Sequence, residues 1–222
     1  MRREPEQLEL ERVVTAGGGR GPDGSRDPTL GFASSREPIN RLLPAHVTIR
    51  VREDVPSLRT VKVVREVERS FARACERGSF RLVHYSLQSN HAHLIVEAKD
   101  RGALGRGMKA IGSRIARAVN RVFGRSGPVL ADRYHVHVLR TPREVRNALA
   151  YVLLNARKHA ARVGRTIART FIVDPASSGR WFEGWKRLIG EAGPAPPADR
   201  PVATPRSWLL AAGWTRSGRT VS

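Results

Sequence analysis

The chain has 222 residues with 40% apolar content, enough for one folded domain with extensions around a single core. Forty Lys and Arg against twenty Asp and Glu give a formal net charge of +20, which predicts a polyanionic partner such as nucleic acid. No apolar run approaches the ~20 residues of a membrane span, no signal-peptide layout begins the chain, and the single cysteine excludes an intrachain disulfide, so we expect a cytoplasmic protein.

The sequence divides into three predicted regions. Residues 1–44 are rich in Gly and Pro, and their seven Arg cancel their seven Asp and Glu, which predicts a disordered N-terminal arm. Residues 45–163 form the predicted folded domain, and most of the excess positive charge lies between Arg101 and Arg165. Residues 164–222 form a basic extension that holds all four tryptophans. These rings either cover a thin core or stack on the bases of single-stranded nucleic acid.

The first half of the domain predicts a strand, a helix and a hairpin. His46–Arg52 alternates like a half-buried strand. Pro56 and Ser57 predict the start of a helix that ends at Gly78. Its predicted apolar stripe consists of Leu58, Val61, Val64, Val67, Phe71 and Cys75. Phe80–Leu87 and a strand that begins at His91 are close enough to form an antiparallel hairpin.

The second half predicts a basic helix, a strand and a final helix. The basic helix has apolar residues at helical spacing over Leu104–Val122. Three glycines predict loose first turns or a close approach to DNA: Gly105, Gly107 and Gly112. Tyr134–Leu139 alternates as a fourth strand, and Thr141 with Glu144 forms a capping box that begins a helix extending to about Arg162. The order predicts an α+β, ferredoxin-like (RRM-like) βαββαβ sheet with an added C-terminal helix.

Two histidines in the third strand predict a metal or phosphate site. Residues two apart on a strand share a face and lie roughly 6.5–7 Å apart, so His91 and His93 can converge on one ligand. The predicted topology leaves them on the sheet face where the last helix docks. Tyr151 and Asn155, one turn apart on that helix, can face them. Two imidazoles and an amide oxygen leave positions for water and phosphate on Mg²⁺ or Mn²⁺.

Tyr151 is the candidate nucleophile. A tyrosine hydroxyl has a pKa of about 10, so it attacks poorly unless a metal ion and cationic neighbours stabilise its anion. Attack on a phosphodiester would form a covalent phosphotyrosine and release a hydroxyl, which keeps the bond energy for rejoining. The sequence therefore predicts DNA strand cleavage and transfer.

Three segments together resemble the REP-associated tyrosine transposases, a group within the single-tyrosine HUH transposase superfamily. They are Asn90–Val96, Ala131–His135 and Tyr151–Asn155, within a match over about residues 44–160. The resemblance implies a metal-dependent endonuclease that acts on single-stranded DNA, often at hairpin-forming ends, through a 5′-phosphotyrosine intermediate. It also implies a role in DNA transposition and recombination, and hence a location at the nucleoid.

The resemblance carries over residue by residue. It implies that His91 and His93 are the HUH histidines and bind the metal, that Tyr151 is the nucleophile, and that Asn155 completes the metal site. His135 and His137 form a second His-x-His, but we expect that strand to lie at a sheet edge and these histidines to contact phosphate or face water. The expected DNA-binding residues are Arg106, Lys109, Arg114, Arg117, Arg121, Arg133, His135, His137, Arg140, Arg157 and Lys158.

Two further readings remain open at this point. A non-catalytic RRM-like module that binds single-stranded DNA or RNA has the same βαββαβ order, although it would present aromatic residues on its central strands. A domesticated relative could keep the site for a housekeeping role. The sequence also leaves monomer and homodimer open.

Overall fold

The computed structural model describes residues 42–73, 75–155, 173–189 and 199–216. Residues 1–41 of the predicted arm therefore lie outside the described part of the chain. Within the described ranges, no helix is both long and apolar enough to cross a bilayer.

Five strands form one antiparallel sheet in the order β2-β3-β4-β1-β5. The elements in chain order are β1 (Leu43–Arg50), α1 (Val61–Ala72), β2 (Glu76–Arg77), β3 (Phe80–Leu87), β4 (His91–Ala98), α2 (Arg101–Phe123), β5 (His135–Val138) and α3 (Pro142–Leu153). The predicted ferredoxin-like fold with an added helix is confirmed. β5 lies at an edge of the sheet and β4 lies inside it, as expected from the order of the elements.

The start of α1 differs from the sequence prediction. The helix begins at Val61, because Thr60 caps it by accepting a hydrogen bond from the Val63 backbone N–H at 3.3 Å. Val61 is 66% exposed, whereas Val63 is buried. Leu58 lies in the turn before the helix and is buried there. Its helical spacing to Val61 therefore does not mean that the two residues share a helix face. The short strand β2, which follows α1, was not predicted.

Each face of the sheet has its own apolar core. On one face, Val47, Leu94 and Tyr85 pack beneath α1 and α2. On the other face, Ile95 and Val83 pack against α3 and the C-terminal segments. The alternation of β4 therefore leaves His91 and His93 on the α3 face, as the topology predicted.

Gly107 allows α2 to pack closely onto the sheet. The helix is regular from Arg101, because the Asp100 carboxylate accepts a hydrogen bond from the Ala103 N–H at 2.7 Å. A Cβ atom on Gly107 would lie 2.1 Å from the Phe80 ring. The close approach at Gly107 is therefore to Phe80 inside the core, whereas the sequence predicted loose first turns or a close approach to DNA.

Replacing Gly107 by alanine should lower the free energy of unfolding by about 1–3 kcal/mol, because the added methyl overlaps a buried ring. The matched change Gly105→Ala adds a methyl with no heavy atom within 4 Å. It should stabilise the helix by roughly 0.5–1 kcal/mol. Urea unfolding of the two variants measures both effects. Equal destabilisation by the two changes would contradict this packing.

The C-terminal segments 173–189 and 199–216 pack against the same sheet. The Asp174 carboxylate is buried and accepts two hydrogen bonds from Arg59, at 2.8 and 2.9 Å. The buried Glu97 carboxylate accepts hydrogen bonds from the backbone N–H groups of Arg206 and Ser207. These two carboxylates anchor the segments, so the described part of the C-terminus is built into the fold.

Burial separates the four tryptophans. Three of them are buried and support the core interpretation: Trp181, Trp185 and Trp214. Trp208 is 51% exposed, and the Arg216 guanidinium lies 5.4 Å from the centre of its ring.

Candidate active site

Six histidines lie on the α3 face of the sheet, and they are all of those in the described ranges. They are His46, His84, His91, His93, His135 and His137. His84 lies away from the others beneath the C-terminal segment, where it is within 3.1 Å of the Ser178 hydroxyl. Burial, and then the charge of Arg200, lower the pKa of His84 to about 3, so it is a neutral core residue at pH 7.

The rings of His91 and His93 converge. Their Nε2 atoms are 3.0 Å apart, and the Nδ1 atom of His91 lies 2.8 Å from the Asn90 Oδ1. The amide oxygen can only accept, so His91 carries its proton on Nδ1 and, when neutral, turns the Nε2 lone pair toward His93. Two nitrogens at right angles around one ion, each about 2.1 Å from it, are about 3.0 Å apart. The spacing therefore fits two adjacent ligands of one cation.

Tyr151 lies directly against His93 of this pair. Its ring meets the His93 ring edge to face, with centroids 4.9 Å apart and an interplanar angle of 80°. The side chain is half-buried. The predicted capping box begins the helix, since the Thr141 hydroxyl accepts from the Glu144 N–H at 3.2 Å and the Glu144 carboxylate accepts from the Thr141 N–H at 3.0 Å.

Asn155 is buried but is not on a continuation of the same regular helix. α3 ends at Leu153, whereas the sequence predicted a helix to about Arg162, and residues 156–172 lie outside the described part. The break at Leu154 means that helical spacing alone does not set the direction of Asn155 relative to Tyr151. Among the described residues, no group of three or more His, Cys, Asp and Glu is placed to hold a metal ion. A cation at His91 and His93 would therefore need an amide, substrate or water oxygen as well.

His46 was missed in the sequence analysis. Its Nε2 atom lies 3.2 Å from the Nδ1 atom of His93, and its ring contacts that of Tyr151 at a centroid distance of 5.8 Å. Burial, and then the neighbouring His137, lower the pKa of His46 to about 4, so it is neutral at pH 7. The available signal was the topology, because a ferredoxin-like sheet places the first strand beside the third.

A family model, Transposase IS200 like, matches residues 41–152, half of the chain. The chain belongs to the IS200-like transposase family. Two solved structures are similar to it. The REP-associated tyrosine transposase bound to a REP hairpin is 15% identical, with 58% of this chain and 74% of that one covered and a TM-score of 0.45. A candidate transposase from Deinococcus radiodurans is 14% identical, with 58% and 94% covered and a TM-score of 0.38. The comparison with curated proteins found no match.

The predicted DNA-binding residues of this transposase fall into separate groups. Five lie on α2, on the sheet face opposite the histidines: Arg106, Lys109, Arg114, Arg117 and Arg121. Two of these make internal contacts, since Arg114 donates to the Ser70 carbonyl at 3.0 Å and Arg121 pairs with Glu66. Four others lie on or beside the edge strand β5, and of these only the two histidines share the face of α3 by strand pairing: Arg133, His135, His137 and Arg140. Arg157 and Lys158 lie outside the described residues.

Arg50 is a second residue that the sequence analysis missed. It is exposed on β1 and pairs across the strands with His91. Thr48 on the same strand contacts His93, so the alternation of β1 places Arg50 on the histidine face as well. A cation beside His91 is suited to contact a phosphate bound there.

Proposed function

We propose that this transposase cleaves and rejoins single-stranded DNA, with a divalent metal ion, through a covalent bond between Tyr151 and a 5′ phosphate. The observation that carries the proposal is the contact of Tyr151 with His93, whose ring converges with that of His91. The candidate nucleophile and two of the candidate ligands therefore lie close together within one chain.

His91 and His93 are the residues that would hold Mg²⁺ or Mn²⁺, with Asn155 as the proposed third ligand. When bound, such an ion polarises the phosphodiester as a Lewis acid. Neutral imidazole nitrogens and amide oxygens leave the charge of the ion largely uncompensated, so it remains available to an anionic substrate. The basic surroundings, including Arg50, favour the same substrate.

The cleavage step is a displacement at phosphorus. The Tyr151 oxygen forms a bond to the phosphorus, and the bond from phosphorus to the 3′ oxygen of the preceding nucleotide breaks. The phenol proton goes to solvent, and the departing 3′ oxygen takes up a proton to become a hydroxyl. A 3′ hydroxyl can reverse the step and join a new strand, which is the chemistry that transposition requires.

The proposed substrate is single-stranded or hairpin DNA, by the resemblance of the three segments to REP-associated transposases. A cytoplasmic location at the nucleoid follows from that substrate. In this proposal residues 45–163 provide the catalytic functions. Residues 164–222 form the basic extension, whose described part supports the sheet.

A denaturing gel tests the proposal with hairpin oligonucleotides that carry randomised single-stranded flanks. With Mn²⁺, a label on the 3′ side of the cut should become attached to the protein, whereas a label at the 5′ end should leave on the free fragment. Chelation of the metal should abolish both products. Attachment of the 5′ label would contradict the proposed polarity.

Binding without any covalent product would favour the RRM-like alternative. An RRM-like module would expose an aromatic residue on β3. Tyr85 of β3 instead lies in the core beneath α1 and α2 and donates to Glu68 at 2.8 Å. Burial raises the pKa of Tyr85 well above its usual value. α3 also covers part of the face that would bind bases, so the described structure supports the enzyme.

Affinity for single-stranded DNA should fall steeply with salt. Residues on the sheet face that carries His91 and His93 should account for most of this salt dependence. For single strands, log K falls with log salt by about 0.7 per phosphate contact. Arg50→Gln, on the face that carries His91 and His93, should weaken binding and reduce the slope by about 0.7. The matched changes Arg106→Gln and Arg117→Gln, on the opposite face, should have smaller effects. Fluorescence anisotropy across a salt series measures this, and larger losses from the α2 changes would place the DNA on the other face.

A further inference from the structure

The ring nitrogen of His93 that faces away from His91 contacts two residues of β1. Its Nδ1 atom lies 3.2 Å from the His46 Nε2 and 3.2 Å from the Thr48 Oγ1. Both residues belong to the strand that pairs with β4, and Thr48 is directly opposite His93. His93 is buried, and these two polar atoms contact its ring on the side away from His91.

The chemistry of imidazole gives this contact a consequence. A histidine that offers the Nε2 lone pair to a cation carries its proton on Nδ1, and that N–H needs an acceptor. For His91 the acceptor is the Asn90 amide oxygen. For His93 the nitrogen of His46 lies in the corresponding place. Each histidine of the pair therefore has a polar atom that can accept a hydrogen bond on the far side of its ring.

We propose that His46 is a positioning residue that accepts the Nδ1–H of His93 and holds its Nε2 toward the shared cation. This inference rests on the proposed function, because it requires a cation at His91 and His93. The Thr48 hydroxyl assists, but it can rotate to donate or accept and so does not define the tautomer of His93.

Ring contacts favour His46 over Thr48 as the main determinant. The His46 ring is 5.2 Å from that of His93 and 5.8 Å from that of Tyr151, measured between centroids. One side chain thus touches both the proposed ligand and the proposed nucleophile. Its loss would free the His93 ring to rotate and would remove a packing surface for Tyr151.

Manganese affinity in the absence of DNA tests the inference without a catalytic readout. His46→Phe keeps a ring but removes the acceptor, and should weaken Mn²⁺ binding by about 10–100-fold. His46→Gln restores an acceptor and should recover part of the loss. Thr48→Val should cost less than His46→Phe. Calorimetry with the full-length chain gives the affinities, and thermal midpoints show that each variant is folded.

A second measurement covers the case in which His46→Phe does not fold. Nitrogen-15 NMR of the wild-type protein with Mg²⁺ should show a coupling across the hydrogen bond from the His93 Nδ1–H to the Nε2 atom of His46. A proton on His93 Nδ1 with no coupling to His46 would overturn the role of His46 while leaving the metal site in place.

These outcomes distinguish failure of the proposed role of His46 from failure of the proposed metal site. Wild-type affinity in His46→Phe, or equal losses in the Phe and Gln variants, would overturn the role of His46 while the metal site stands. Mn²⁺ affinity that is unchanged when both His91 and His93 are replaced by alanine would overturn the metal site, and this inference with it.

Discussion

Replacing Tyr151 by phenylalanine should abolish the covalent protein–DNA product. The change removes one oxygen atom and keeps the ring that contacts His93 at a centroid distance of 4.9 Å. Affinity for single-stranded DNA should change by less than about tenfold, because one hydrogen bond contributes about 0.5–1.5 kcal/mol. A denaturing gel measures the product, and anisotropy measures the affinity.

The other two tyrosines of the sequence supply the controls, and both are in the described part. Tyr134 packs against the core beneath α1 and α2, and burial raises its pKa. Tyr134→Phe should therefore form the product normally. Tyr85→Phe should lose stability through the contact with Glu68 but should keep the product where it is folded. A product that persists in Tyr151→Phe, or that disappears in Tyr134→Phe, would show that Tyr151 is not the nucleophile.

Replacing both His91 and His93 by alanine should remove metal-dependent cleavage. Lewis-acid stabilisation is worth several kcal/mol, and ~1.4 kcal/mol is a factor of ten, so the rate should fall by at least about 100–1,000-fold. DNA affinity measured without metal should change little, because the basic residues proposed to contact phosphate are retained. Single-turnover cleavage with a saturating Mn²⁺ series measures the loss.

The matched control is the double replacement of His135 and His137, the second His-x-His of the chain. These residues lie on the edge strand β5, where His137 is opposite His46 and His135 is exposed. Their loss should lower cleavage only modestly. A crystal soaked with Mn²⁺ that shows the ion at His135 and His137 would reverse the assignment.

The strands and helices could be predicted because their signals are local. The capping box of Thr141 and Glu144, the short link between β3 and β4 and the alternation of β1 each involve a few neighbouring residues. The errors occurred where a local pattern had two explanations. Leu58 and Val61 have helical spacing, yet only Leu58 is buried, and the helix of Tyr151 ends at Leu153 rather than about nine residues later.

The sequence by itself determined the βαββαβ order and the common face of His91 and His93, because the period of a strand and the order of elements leave few arrangements. Only the tertiary structure determined which residues contact His93 on the side away from the proposed metal site. His46 and Thr48 are 47 and 45 positions from His93 in the chain, and they meet it because β1 pairs with β4. The same holds for charge. The basic residues of α2 lie on one face of the sheet, whereas Arg50 of β1 and the histidines of β5 lie on the other, so a count of charges could not assign them all to one surface.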